Sequence, residues 1–549
     1  MSEESRDIGR SFIRKADKLF ASPERENART TWEILSEFIL PNQSGIFVGD
    51  DTKGGKKTAR LFDGTAPRAN SDLAAAFQST ITNPASKWSK LAFPDEERNN
   101  DRESLSWLED TNNRIHDAFN ASNFDTQLSK NYLAFCSLAT MVLFHEESER
   151  EMAGTFAGMR FEAWHLSQVA FAENNLGAVD TIYRKFNWTA KQAFERFKEL
   201  TPVKIIEAVE KDPSKEFEFY HCIFPRNPKE VNLNEQGLAK ATERPFASLY
   251  ISKDESEVVE EGGYYEFPVY VNRWSTLPGE VYGRGPGHLA LPDVRSLNKV
   301  KQLSLSAIAK AVNPPLLAVA RNVIGSLRLS PSSVTIVKDI NGLKEMVPQA
   351  RFDVTQFAVD DLRASIQSSF FIDKLLLPPR TETGEMTAFE VQQRLEQMQK
   401  VLGPTLSRLN SEFLSPLITR MFKMLLRAGA LAPLPPMLEE LGIDIDITFL
   451  NSLSRSQQAE DVANITAWVQ ELMQLAQADP TVLDNINSDG IASHIAKIRS
   501  VPDVAVMPAE QVEEIRAQRA EAAEKQQQMD QAVQMADVAA KIPQGDQPQ

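Results

Sequence analysis

Sulfur, histidine and long apolar runs are scarce in this chain, and each shortage excludes something. Only two cysteines occur among 549 residues, so no disulfide framework is available. Cys136 and Cys222 both lie in apolar runs and are expected to be buried thiols of a reducing compartment. No apolar stretch approaches the roughly 18 residues of a membrane span, and the first residues, Met1-Ser-Glu-Glu-Ser-Arg6, carry no secretory pattern. A soluble chain made inside a cell, without a membrane partner, is therefore expected. The six histidines show no paired metal spacing, and His145-Glu-Glu-Ser-Glu149 has Glu149 where a zinc helix needs its second histidine. Gly49 to Thr58 resembles a phosphate loop, but Gly55 stands where the lysine belongs. Gly283-Arg-Gly-Pro-Gly287 misses the dinucleotide spacing because His288 takes the last glycine position. No Gly-x-Ser-x-Gly elbow is present. Basic residues are also short, 60 against 76 acidic ones, for a formal charge of -16. That balance argues against a protein that grips nucleic acid by neutralising phosphates, though not against a channel wall that DNA slides past. No catalytic residue, cofactor or metal site is expected.

What is present is helix, with an antiparallel sheet set into it. From Pro292, residues Val294, Leu297, Val300, Leu303 (or Leu305) and Ile308 recur at three- and four-residue steps, one apolar helix face. Asn313-Pro314-Pro315 stops that helix. A short β-leaning block follows, with strands at Leu316–Val319, Leu327–Leu329 and Val334–Val337. A second helix is expected from Thr355 to Leu376, stopped by Pro378-Pro379. Two rods of roughly 20 residues each span about 30 Å and make a stalk. The β block has too little mass for a core of its own, so it either adds to neighbouring copies or folds back as a hairpin.

Residues 1–277 predict one α+β body, helices first and an antiparallel meander afterwards. Asn174-Asn-Leu-Gly177 is a hairpin signal, and Thr189 caps a helix through Leu200. After the stalk, Met386 to Leu426 is a long helix kinked at Gly403-Pro404. Ile443 to Phe449 alternates as a strand. Helices are expected over 456–478 and 488–499. The last stretch, 508–542, predicts a weakly packed helix that depends on neighbouring copies.

Several local patterns, in order, resemble the head-to-tail connecting, or portal, proteins of short-tailed (podovirus-type) bacteriophages. They are Trp32 with Phe38-Ile-Leu-Pro41, Arg60-Leu-Phe-Asp-Gly-Thr65 leading into Leu73-Ala-Ala-Ala76, and Asn83-Pro-Ala-Ser-Lys-Trp88. Arg273-Trp274, Tyr282-Gly-Arg-Gly-Pro286, Leu291-Pro-Asp293, Asn313-Pro-Pro315 and Met386-Thr-Ala-Phe-Glu-Val391 complete the set. The resemblance implies a mainly helical α+β fold with wing, two-helix stem, clip and crown, and a homo-oligomeric ring, a dodecamer, around a double-stranded DNA channel at one capsid vertex. Its parts would be a wing over 1–287, a first stem helix over 288–312 and a clip over 313–354. A second stem helix over 355–376, a channel loop over 377–387, a kinked wing helix over 388–430 and a helical crown and tail over 431–549 would follow. The implied partners are the major capsid protein, scaffolding protein, the terminase motor and tail adaptor proteins. The genome would be packaged and ejected through the ring. The competing readings are an oligomeric virion scaffold without a channel, and a nuclease built on the scattered carboxylates.

Charge separates the two rods. The first carries Arg295, Lys299, Lys301 and Lys310 against Asp293. The second carries Asp353, Asp360, Asp361 and Asp373 against Arg363 and Lys374. A basic and an acidic rod side by side around a ring would be complementary between subunits; the alternative is ordinary solvated charge. The candidate channel-facing residues are Asp360, Asp361 and Arg363, with Arg380, Glu382 and Glu385 of the loop. The candidate inter-subunit residues are Arg295, Lys299, Lys301 and Lys310.

Overall fold

The computed structural model of the chain describes residues 3–47, 60–93, 102–147, 158–234, 238–312, 316–318, 343–345, 352–375, 402–436, 446–449, 452–476 and 486–498, with isolated positions elsewhere. Two compact units divide it, Met1–Leu453 and Ser454–Gln549. The expected strands at Leu327–Leu329 and Val334–Val337, the channel loop, Met386–Val391 and most of 508–542 lie outside the described residues.

The core of the first unit is built on a helix whose second half has no exposed residue, α5 (Phe124–Leu138), counted after α1 (Glu3–Phe20), α2 (Pro23–Phe38), α3 (Thr65–Ile81) and α4 (Arg102–Asn120). Phe124, Leu128, Tyr132, Phe135 and Leu138 are all fully buried at steps of three and four, each stabilising by about 1.5–3 kcal/mol. They meet Leu73, Phe77 and Ile81 of α3 in one cluster, and the Tyr132 hydroxyl lies 3.1 Å from the Thr82 hydroxyl. Both cysteines are buried and free, as their apolar surroundings predict.

A five-stranded antiparallel sheet has the order β4 (Val169–Glu173), β5 (Val179–Thr189), β6 (Glu216–Pro225), β7 (Phe246–Ser252), β8 (Glu257–Tyr264). Period-two alternation sorts its side chains. Phe217 and Phe219 face α6 (Ala190–Phe197) and α7 (Val203–Lys211), while Tyr220 and Cys222 face Ala16 and neighbouring apolar residues of α1. The hairpin between β4 and β5 turns at Gly177, whose φ is 76°, as its Asn-Asn-Leu-Gly signal predicts. Thr189 caps α6 in a reciprocal pair with Gln192. A three-stranded sheet, β3 (Met159–Ala163), β2 (Thr140–Glu147), β9 (Val269–Arg273), lies on α5.

Four expectations need correction. The first rod, α8, runs Pro286–Val312 and holds Pro292 in its interior. The lost amide of Pro292 costs one helical hydrogen bond, but burial of Ala290, Val294 and Leu297 on either side of it outweighs that loss. The second rod, α9, covers Phe352–Ser369 and stops before Phe371, which has a φ of 58°, and a short helix follows at Ile372–Leu375. A left-handed aromatic residue is strained; here burial of Phe370 and stacking of Phe371 on Trp274 (6.2 Å between centroids, 7° between planes) hold it. The described part of the long helix, 402–427, is interrupted by an unexpected π turn at Asn410–Leu414; the turn before Gly403-Pro404, where a kink is expected, lies outside the described residues. Pro416 is the cause of the π turn: its ring would crowd the carbonyl four residues back, and the wider turn makes room. Finally, Asp446–Phe449 pairs antiparallel with β1 (Ser89–Ala92), which fastens it to the first unit and not to a C-terminal crown.

Tyr282-Gly-Arg-Gly-Pro-Gly287 crosses the corner where α5 turns into β2. A Cβ on Gly283 would meet the Ala139 carbonyl oxygen at 2.2 Å, and one on Gly287 the Ser137 carbonyl oxygen at 2.2 Å. This contact sets where α8 leaves the body. Gly287→Ala is expected to lower stability by about 1–3 kcal/mol in denaturant unfolding, while Gly403→Ala, with open space at its Cβ position, is expected to hold or gain. Equal effects would contradict the close approach.

Candidate functional site

The two rods pack along each other. Ser365 near the end of α9 donates to Asp293 near the start of α8 (2.6 Å). At the opposite ends, β10 (Leu316–Ala318) pairs antiparallel with β11 (Leu343–Glu345). The helices are therefore antiparallel, joined at both extremities.

Their lower halves are bolted to the body by a short segment, Arg60-Leu-Phe-Asp-Gly-Thr65. Asn298 of α8 donates to the Arg60 carbonyl (2.9 Å) and accepts from the Phe62 amide (2.7 Å). Arg363 of α9 donates to Asp63 (2.8 Å), whose other oxygen accepts from the amide (2.9 Å) and hydroxyl (2.5 Å) of Thr65. Burial works to raise the Asp63 carboxyl, but Thr65 and Arg363 outweigh it and hold the group below its ordinary range.

Toward their upper ends several apolar residues are exposed. The apolar face of α8 is buried at Ala290, Val294 and Leu297 and continues into Leu305, Ile308 and Val312, the last 80% exposed. Leu303 is also exposed, and on α9 Phe357 is 78% exposed, while Val359, Ile366 and Phe370 are buried. A contiguous apolar stripe left in water marks a contact surface.

The candidate residues separate accordingly. Asp360 is exposed, accepting from Gln356 (3.0 Å) and lying 3.8 Å from Arg363. Asp361 is exposed. Arg363 is committed to Asp63 and so serves as a tether of the rod. Arg295, Lys299 and Lys310 are exposed and Lys301 is half-buried; Lys299 donates to Gln302 (3.2 Å). Arg380, Glu382 and Glu385 lie outside the described residues. Among the described residues, no group of His, Cys, Asp and Glu could hold a metal ion, and no helix is long and apolar enough to cross a membrane.

Sequence reasoning missed one hub. Arg273, 3% exposed, donates to Glu412 of the π turn (2.7 Å), to Glu173, and to the carbonyls of Val281 (3.1 Å) and Gly177 (3.2 Å). Burial opposes its charge, and the bonds to Glu412 and Glu173 outweigh burial and keep it ionised. The signal available in the sequence was a lone arginine closing the apolar strand Val269-Tyr-Val-Asn-Arg273; its partners, distant in sequence, gave none.

The Bacteriophage head to tail connecting protein family model matches residues 14–506, and the chain belongs to that family: it is a phage head-tail connector. It is similar to the portal protein of Salmonella phage epsilon15, 28% identical over 500 residues, 89% of this chain and 87% of that one. It is similar also to the probable portal protein of Bordetella phage BPP-1, 28% identical over 502 residues with the same shares covered.

Several imidazoles are buried uncharged. Burial, then nearby Arg420, drives His145 well below its usual value. Burial brings His116 and His288 down to about 4, with Lys87 adding to it at the first and Arg284 at the second. The unfolded groups titrate near 6.5, so His116 and His288 stabilise fully above that pH and lose their contribution as pH falls through 6.5 toward 4, and His145 acts in the same direction. The slope is about 1.4 kcal/mol per pH unit for each. Denaturant midpoints are expected to fall between pH 7 and 5, with a shallower fall in His116→Gln. A flat profile would contradict buried neutral imidazoles.

Proposed function

We propose that this connector assembles as a closed ring of twelve copies at one capsid vertex, around a channel through which double-stranded DNA is packaged and later ejected. The observation that carries this reading is the uncovered apolar stripe on the upper halves of α8 and α9. One copy cannot bury Leu305, Ile308, Val312 and Phe357, whereas a neighbouring copy set side by side can, at about 1–2 kcal/mol for each residue. Family membership and the relatives named portal proteins support the same arrangement.

In this assembly α8 and α9 are the stem, and the β10–β11 pair belongs to a clip that gains strands or stacking from its neighbours. The body, with the helix over 402–427, is the wing. The C-terminal unit is the crown, and its exposed Trp468, Met473 and Leu475 are apolar groups that neighbouring copies would cover. The capsid and scaffolding proteins contact the outside of the ring, and the terminase and then tail adaptor proteins dock at the clip. Asp360 and Asp361 face the lumen. Screening limits their repulsion of phosphate to about 8 Å at physiological salt, which is enough to keep a passing duplex from adhering. Arg295, Lys299, Lys301 and Lys310 lie away from the lumen and meet the capsid or the adjacent copy.

The test is a double reversal, Asp360→Lys with Asp361→Lys. Rings are expected to form normally, and packaging in a reconstituted assay is expected to slow several-fold, because phosphate contacts turn from repulsive to adhesive. Packaging at the wild-type rate in the variant would overturn the lumen-facing assignment.

A further inference from the structure

A cleft of about 550 Å³ lies in the first unit, between the β7–β8 edge of the large sheet and the end of the helix over 402–427. Its size is that of a site for a few residues of peptide or a small molecule. Four guanidiniums line it, those of Arg196, Arg244, Arg420 and Arg427, and they are unequally satisfied. Arg427 makes a two-pronged bond to Glu266 (2.6 Å at each nitrogen). Arg196 is paired with Glu260 (3.2 Å). Arg420, buried, donates to the carbonyls of Glu266 (2.7 Å) and His145 (3.3 Å) and lies 3.8 Å from the Glu266 carboxylate. Arg244 donates to the Gly263 carbonyl (3.0 Å); among the described residues it has no carboxylate in ion-pair reach.

Among the described residues Arg244 is thus the lining guanidinium with no carboxylate beside it, and an acceptor oxygen entering the cavity would give it a charge-assisted partner. The wall is prepared for one. The Tyr265 ring carries the guanidiniums of Arg244 (4.6 Å) and Arg427 (4.5 Å), and its hydroxyl accepts from the Ala239 amide (2.9 Å) and donates to the Ala239 carbonyl (3.1 Å), which fixes the adjoining loop. Stacking of this kind holds a guanidinium plane in a set orientation. Leu238 and Met424 add apolar lining.

We propose that this cleft is a socket for an acidic peptide segment of a partner protein, in which one Asp or Glu carboxylate bonds Arg244 and an apolar neighbour lies on Leu238 and Met424. Nucleic acid fits less well. Glu146 and Glu147 also line the cleft, and they would repel a run of phosphates while sparing a single carboxylate. The apolar lining and the volume are more than an isolated oxyanion uses.

The experiment is fluorescence anisotropy on the full chain, with a labelled hexapeptide alternating Asp and Leu as probe. Saturable binding is expected, weakened about tenfold in Arg244→Gln, the loss of a charge-assisted bond. Leu238→Asp, an exposed substitution that leaves folding intact, is expected to weaken it about fivefold by like charge. Inorganic phosphate is expected to compete only at much higher concentration, and a labelled duplex of matching charge is expected not to bind. No peptide binding at millimolar concentration, unchanged binding in both variants, equal displacement by phosphate, or equal binding of the duplex would each overturn the proposal.

Discussion

One buried charge holds the body in register. Arg273 ends β9, an edge strand of the three-stranded sheet, and its guanidinium reaches the hairpin of the large sheet through Glu173 and Gly177, the crossing segment through Val281, and the π turn through Glu412. Removing a charge of this kind from water costs several kcal/mol, and only a full set of partners offsets it. The set is complete only when four separate stretches of chain arrive together. The hub therefore specifies an arrangement more than it adds stability, and the π turn forced by Pro416 is what brings Glu412 to it.

From that arrangement the rods follow. Trp274, the next residue, packs on Phe77, Phe135 and Phe371, so the strand that ends at Arg273 also terminates α9. The glycines at 283 and 287 let the chain cross tightly over the α5–β2 corner, which aims α8. The Arg60–Thr65 segment then clamps both rods through Asn298 and Arg363. Everything is fixed at the lower end, and the upper ends project with apolar groups exposed. A rigid mount with an unfinished surface is what a subunit of a larger assembly requires.

Much of this was legible from spacing. The steps Val294, Leu297, Val300 mark α8, the double proline after Asn313 ends it, and Asn174-Asn-Leu-Gly177 gives the hairpin of the large sheet. What spacing could not carry was any pairing across the chain. Asp446–Phe449 has its partner strand at Ser89–Ala92, Arg363 has Asp63, and Arg273 has Glu412. Each partner lies over a hundred residues away, and nothing local marks it. Local rules failed where tertiary contacts overrode them, at Pro292 inside a helix and at Phe371 in a left-handed conformation. At the candidate residues the sequence displays the charges, but not that Arg363 is paired with the buried carboxylate of Asp63, which periodicity cannot reveal.

Electron microscopy of the purified full-length chain tests the account most directly. The account predicts closed rings of uniform copy number with a central hole wide enough for duplex DNA, in which Leu305, Ile308 and Phe357 are covered by the adjacent subunit. Monomers, open filaments, or rings in which those residues remain in solvent would contradict it.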